Sequence, residues 1–207
     1  MPLFGNIPIA GRPGNPPPVH PSFDEVVRDR KPMHPALLGG YFGTFYPGAG
    51  NPDFVERMRT FAIRSGKQIV LFLAGRQDPN ARARWEHLAA TSDDILRFIF
   101  LGELPDSAVS SYLQQLDFGV AATPFALIEK SGSVAAMRDH GLPMLVPRND
   151  WTPRFAVPGN APRNIFPAWG GHSLDRLPEA IHLRGPARES LPTVAQSFLT
   201  HLANHDD

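Results

Sequence analysis

The chain has 207 residues, with Lys plus Arg at 20 balanced by Asp plus Glu at 20, and no cysteine. Neutrality argues against a nucleic-acid binder, which carries a basic excess or stripe, and the missing cysteines exclude disulfide frameworks, thiolate nucleophiles and Cys-ligated zinc. No apolar run approaches the roughly 20 residues that span a bilayer, and MPLFGNIPIAG lacks the basic start and long apolar stretch of a signal peptide, so the expectation is a cytoplasmic protein, free or at the inner face of the membrane.

Residues 1–36 are rich in proline, from Pro2 and Pro8 through Pro16, Pro17 and Pro18 to Pro35. Proline removes a backbone donor and breaks regular elements. The stretch reads as an extended leader or linker, with at most a turn of helix over 24–30. From Leu37 a rhythm sets in. A strand over 37–45 runs into the Gly-rich loop YPGAGNP. A helix follows over 52–66, with Asn51 as N-cap, Pro52 at its first position and Gly66 as its stop. Its Phe54, Val55, Met58, Phe61 and Ala62 form one apolar stripe.

The run KQIVLFLAG is a strand buried on both faces. Then come a helix over 80–90, a strand over 95–102, a helix over 105–116 and a strand over 118–125. A helix over 130–140 and the strand PMLVP complete five strands by Val146; NIFPAW adds a sixth. Two terminal helices are expected, over 174–183 and 190–203. Alternating strands and helices imply an α/β fold: a Rossmann-like parallel sheet of about six strands with helices on both faces. The division is a leader 1–36, a domain 37–185 and a C-terminal helix and tail 186–207.

The segment EKSGSVAAMRDHGLP, residues 129–143, concentrates the chemistry. Backbone N–H groups at a helix start have no internal partner and carry a positive partial charge, which suits a phosphate. Lys130 adds a cation, Ser131 and Ser133 add hydroxyls, and Gly132 lets a ligand approach the backbone. Lys130 is read as an anion ligand in preference to a solvated surface lysine. For Glu129, a favourable carboxylate at a helix start and a contact to a sugar hydroxyl both stand open. Arg76, after LFLAG, is either a surface cation or a second phosphate contact. His140 is read as a helix terminator. Ligands of such sheets sit at the carboxyl ends of the strands, where the loops 43–51, 75–79, 102–106 and 124–130 fall.

Other chemistries find no support. There is no Gly-x-Gly-x-x-Gly after the first strand, no Walker-type loop and no Gly-x-Ser-x-Gly elbow. Ser131 and Ser133 lack a pattern that supplies a His and an acid. His201 and His205 have helical metal spacing but read as solvated residues near the end of the chain, so no metal site is expected.

GGYFGTFYPG, LFLAG, FIFLGELPDSAVSSYLQQLDFGVAATPF and EKSGSVAAMRDHGLPML resemble the C-terminal, donor-binding half of a GT-B glycosyltransferase of the retaining group 1, or family 4, class. The resemblance covers residues 37–146, and LFGNIP is similar to the segment joining the two domains of such enzymes. It implies that Leu101, Gly102, Glu103 and Leu104 line the nucleotide base. It implies that Lys130, Ser131, Gly132 and Ser133 take the diphosphate with Gly43 and Thr44 nearby, and that Glu129 contacts the donor sugar as the catalytic carboxylate. The implied ligand is a nucleoside-diphosphate sugar, with no other cofactor and no metal. The second glutamate of the family's pair aligns with Ala136. The Arg and Lys that commonly follow the first strand are absent from GTFYPGAGNPDF, leaving Lys130 and Arg76 to substitute. The acceptor, a glycan, lipid or small molecule, belongs to an N-terminal domain, implying a partner chain or a longer polypeptide. A non-catalytic sugar-phosphate module and an epimerase half are the alternatives.

Overall fold

The computed structural model describes residues 7–9, 17–30, 36–45, 50–151, 164–169, 174–188 and 190–203. Six parallel strands form one sheet in the order β3-β2-β1-β4-β5-β6. They are β1 (Leu37–Phe42), β2 (Ile69–Ala74), β3 (Leu96–Gly102), β4 (Phe118–Val120), β5 (Met144–Val146) and β6 (Ile165–Pro167). The helices are α1 (Pro21–Arg28), α2 (Pro52–Ser65), α3 (Pro79–Ala89), α4 (Asp106–Gln115), α5 (Gly132–Asp139), α6 (Leu177–His182) and α7 (Leu191–Ala203). This is the Rossmann-like α/β architecture, and its switch point lies between β1 and β4.

The continuous apolar run of β2 explains the layering. Ile69, Leu71 and Leu73 point into one core layer with α2, α3 and α6, and Val70, Phe72 and Ala74 into the other with α1, α4 and α5. In the first layer Trp85 is fully buried, 4.9 Å from Tyr41 ring to ring, and flanked by Phe45 and Phe98. Local signals set the helix ends. Asn51 Oδ1 accepts from Phe54 N at 3.3 Å, and Gly66 closes α2 at φ 63°. Asp78 caps α3 through Asn80 N at 2.9 Å.

Glycines in β1 admit large neighbours. A Cβ at Gly40 would sit 2.1 Å from the Tyr112 hydroxyl, so the glycine is what lets α4 close on the sheet. That hydroxyl is buried and donates to the Tyr41 carbonyl at 3.0 Å, with the Phe72 carbonyl at 3.2 Å. It ties β1 to β2 from above. Tyr112→Phe is expected to cost about 1–2 kcal/mol, because buried carbonyls lose a donor that water does not replace. A lowered urea midpoint at unchanged slope checks this.

The leader differs from expectation. Pro21 stands at the first turn of α1, where its missing N–H costs nothing, and His20 caps Ser22 N at 3.3 Å. Phe23 is fully buried, edge-on to Phe72 at 4.7 Å and to Tyr112 at 5.4 Å. Part of the leader therefore belongs to the core. At the other end, Asp139 holds the approach to α7: Ser190 Oγ donates to its Oδ2 at 2.8 Å. α7 itself leaves Phe198, Leu199 and Leu202 about half exposed.

Candidate functional site

Three glycine-bearing loops are stitched together across the carboxyl ends of β3, β2 and β1. Gly75 N donates to the Gly102 carbonyl at 2.6 Å, Gly43 N to the Ala74 carbonyl at 3.1 Å, and Phe45 N to the Arg76 carbonyl at 2.9 Å. Gly75, at φ 131°, lies so close to Gly43 that a Cβ would stand 2.0 Å from the Gly43 carbonyl oxygen. Gly43, at φ 116°, in turn lies against α5, where a Cβ would come within 3.0 Å of Ser133 Cβ. The loop after β1 is thus pressed onto the start of α5, across the switch point.

That start is polar and open. Ser131 is the N-cap, its Oγ accepting from Val134 N at 3.4 Å. Thr123 Oγ1 donates to Ser131 Oγ at 3.1 Å, and Ser131 and Ser133 hydroxyls lie 3.0 Å apart. Ala135 N bonds the Ser131 carbonyl at 2.9 Å, while the N–H groups of Gly132 and Ser133 have no partner among the described residues. Two N–H groups without a partner among the described residues and three linked hydroxyls thus gather at the positive end of the helix.

Lys130 is placed differently from expectation. Residues Phe125–Lys130 form a 3-10 helix and Lys130 ends it, so α5 begins two residues later than expected, with Ser131 as cap and Gly132 first. A cation at a helix C-terminus is favourable without any ligand, which removes the electrostatic reason for reading Lys130 as an anion partner. Lys130 and Glu129 are both exposed beside the cap.

Arg76 and Glu103 meet each other: Arg76 Nη2 lies 3.4 Å from Glu103 Oε2, with both side chains largely exposed. Such a pair contributes little to stability but holds the loops after β2 and β3 together. Leu101 is buried in the core layer of α4, so only its main chain could line a base. Gly102 and Glu103 are exposed, Leu104 is half-buried and Thr44 is exposed. Ala136 is fully buried inside α5, where no carboxylate faces the mouth. His140 Nε2 lies 2.9 Å from Ser110 Oγ and its Nδ1 lies 2.8 Å from the Ala136 carbonyl, both inside the protein. Among the described residues no group of His, Cys, Asp or Glu is arranged to hold a metal, and no helix is long and apolar enough to cross a membrane. The His201 side chain and His205 lie outside the described residues.

Sequence reasoning missed Arg148. It follows β5, its side chain is 15% exposed, and Nη1 donates to the Ala122 carbonyl at 2.9 Å, one residue before Thr123. Asp150 takes its other edge at 2.8 and 3.1 Å, and this hydrogen bonding holds the Asp150 carboxyl below its ordinary range. No motif marks Arg148, and only the adjacency of β5 and β4 brings it here.

The sheet order defines a Rossmann-like domain, with the close-packed glycine loops and the open start of α5 at its switch point. No protein-family model matches the chain, and no curated protein matches it. Among solved structures the chain is similar to the C-terminal domain of a glycosyl transferase group 1 family protein from Francisella tularensis, at 18% identity and TM-score 0.47, over 84% of this chain and 91% of that one. It is also similar to the catalytic domain of starch synthase IV from Arabidopsis thaliana bound to ADP and acarbose, at 12% identity and TM-score 0.46, over 86% and 40%. A structure named as a candidate UDP-N-acetylglucosamine 2-epimerase from Listeria monocytogenes is similar at 13% identity and TM-score 0.41, over 66% and 32%. The chain thus spans well under half of the last two. At these identities the likeness is one of fold alone.

Proposed function

We propose that the chain is the donor-binding domain of a glycosyltransferase of the group 1 type, holding the diphosphate of a nucleoside-diphosphate sugar at the start of α5. The observation that carries the reading is the pair of N–H groups of Gly132 and Ser133, unpartnered among the described residues, beside the Thr123, Ser131 and Ser133 hydroxyls, with Gly43 pressed against them. In this reading the helix start and Lys130 stabilise the departing diphosphate, Glu129 faces the donor sugar, and main-chain groups at Gly102–Leu104 border the base. The acceptor is carried by a second domain, in the same polypeptide or in a partner chain.

The buried Ala136 favours a second reading, a nucleotide or sugar-phosphate binding module without turnover, because the ribose has no carboxylate to hold it. Both readings predict that UDP, GDP or ADP binds in the millimolar range and at least tenfold more tightly than its nucleoside, as calorimetry would measure. Lys130→Ala should weaken the nucleotide about threefold to tenfold, the effect of one charged contact at an exposed site. If none of the three binds at millimolar concentration, the phosphate cradle is wrong.

A further inference from the structure

Two arginines, from α3 and from the segment after β5, line one cavity beside the start of α2. A cavity of about 270 Å³ is bordered by Gly50 and Asn51 at the start of α2, by Arg84 of α3, and by Arg148 and Asp150 after β5. A guanidinium has five N–H donors. Arg84 gives one, from Nε, to the Gly50 carbonyl at 2.5 Å, and the remainder have no partner among the described residues. Arg148 uses three, two on Asp150 and one on Ala122, so that two at the Nη end have no partner among the described residues. Two guanidiniums against one carboxylate leave the cavity with a single excess positive charge. Asp53, also in the first turn of α2, is exposed.

We infer that this cavity binds a phosphate group, free or as a monoester, held between Arg84 and Arg148, with Asp150 as the internal carboxylate that competes for Arg148. A phosphate suits the site better than a carboxylate because spare N–H donors approach from two elements, and a tetrahedral anion accepts from several directions at once. The inference does not rest on nucleotide binding at α5.

The test is a titration of the whole chain with inorganic phosphate at constant ionic strength, followed by amide and arginine Nε–H NMR shifts. Saturable shifts at Gly50, Asn51 and Arg84, distinct from any at Gly132 and Ser133, are expected at millimolar phosphate. Arg84 is exposed, so Arg84→Gln should fold normally and weaken phosphate at least tenfold while leaving nucleoside-diphosphate binding unchanged. Asp150→Asn should tighten phosphate about fivefold, a sign that a purely structural carboxylate would not give. The inference fails if the shifts do not saturate, if Arg84→Gln binds like the unaltered chain, or if Asp150→Asn weakens binding. Acetate binding as tightly as phosphate would overturn the phosphate assignment.

Discussion

Gly75→Ala is expected to destabilise the protein by about 3–5 kcal/mol and to abolish ligand binding at the sheet mouth. Two costs add at this residue. The backbone stands at φ 131°, outside the region that side chains tolerate, which costs on the order of 1–3 kcal/mol. The new methyl group would also stand 2.0 Å from the Gly43 carbonyl oxygen. That atom belongs to main chain, so relief requires moving the whole loop, and overpacking of this kind costs about 1–3 kcal/mol or more. The loop that moves is the one pressed on Ser133, so stability and binding should fall together. Gly66→Ala is the control. It shares a positive φ, 63°, but among the described residues no atom stands within 4 Å of the added Cβ, so it should cost only about 1 kcal/mol. Urea denaturation of both variants decides the matter; Gly75→Ala falling within about 1 kcal/mol of the unaltered protein would show that the stitched loops are slack.

What the residues disclose in advance, and what they do not, follows from the range of the interactions. β2 is legible because six consecutive apolar residues need two covered faces, and α2 is legible because Asn51, Pro52 and Gly66 act within one turn of themselves. The start of α5 is misread by two residues for an equally local reason. Ser131, read as helical, is instead the cap, accepting from Val134 N, while the residues before it close a tighter turn. α1 hides behind its prolines because Pro21 stands at the one helical position that accepts proline. Arg84 and Arg148 are 64 positions apart (148 − 84) and in no motif. They become neighbours only through the strand order, which places the loop after β5 within reach of α2 and α3. Family resemblance directs attention to the loop after β1 for cations, and none stands there among the described residues 43–45 and 50–51.

Gly132→Asp separates binding from folding by moving them in opposite directions. Gly132 is the first residue of α5, exposed, with nothing among the described residues within 4 Å of an added Cβ and with no positive φ to strain a side chain. An aspartate there meets the positive end of the helix and replaces a residue of low helix propensity. Stability should therefore rise by about 0.3–1 kcal/mol. The same carboxylate stands where the diphosphate would place its charge. A like-charge contact at this range in a partly screened site costs several kcal/mol, enough to weaken a nucleoside diphosphate by roughly 100-fold, which is about 2.7 kcal/mol. From a millimolar starting point that means no detectable heat in a calorimeter, together with a thermal midpoint that holds or rises. Gly132→Ala, which adds the Cβ without the charge, should keep binding within about threefold and share the gain in stability. Should Gly132→Asp bind UDP, GDP or ADP as the unaltered chain does, the diphosphate does not sit at α5 and the donor-binding reading loses its site.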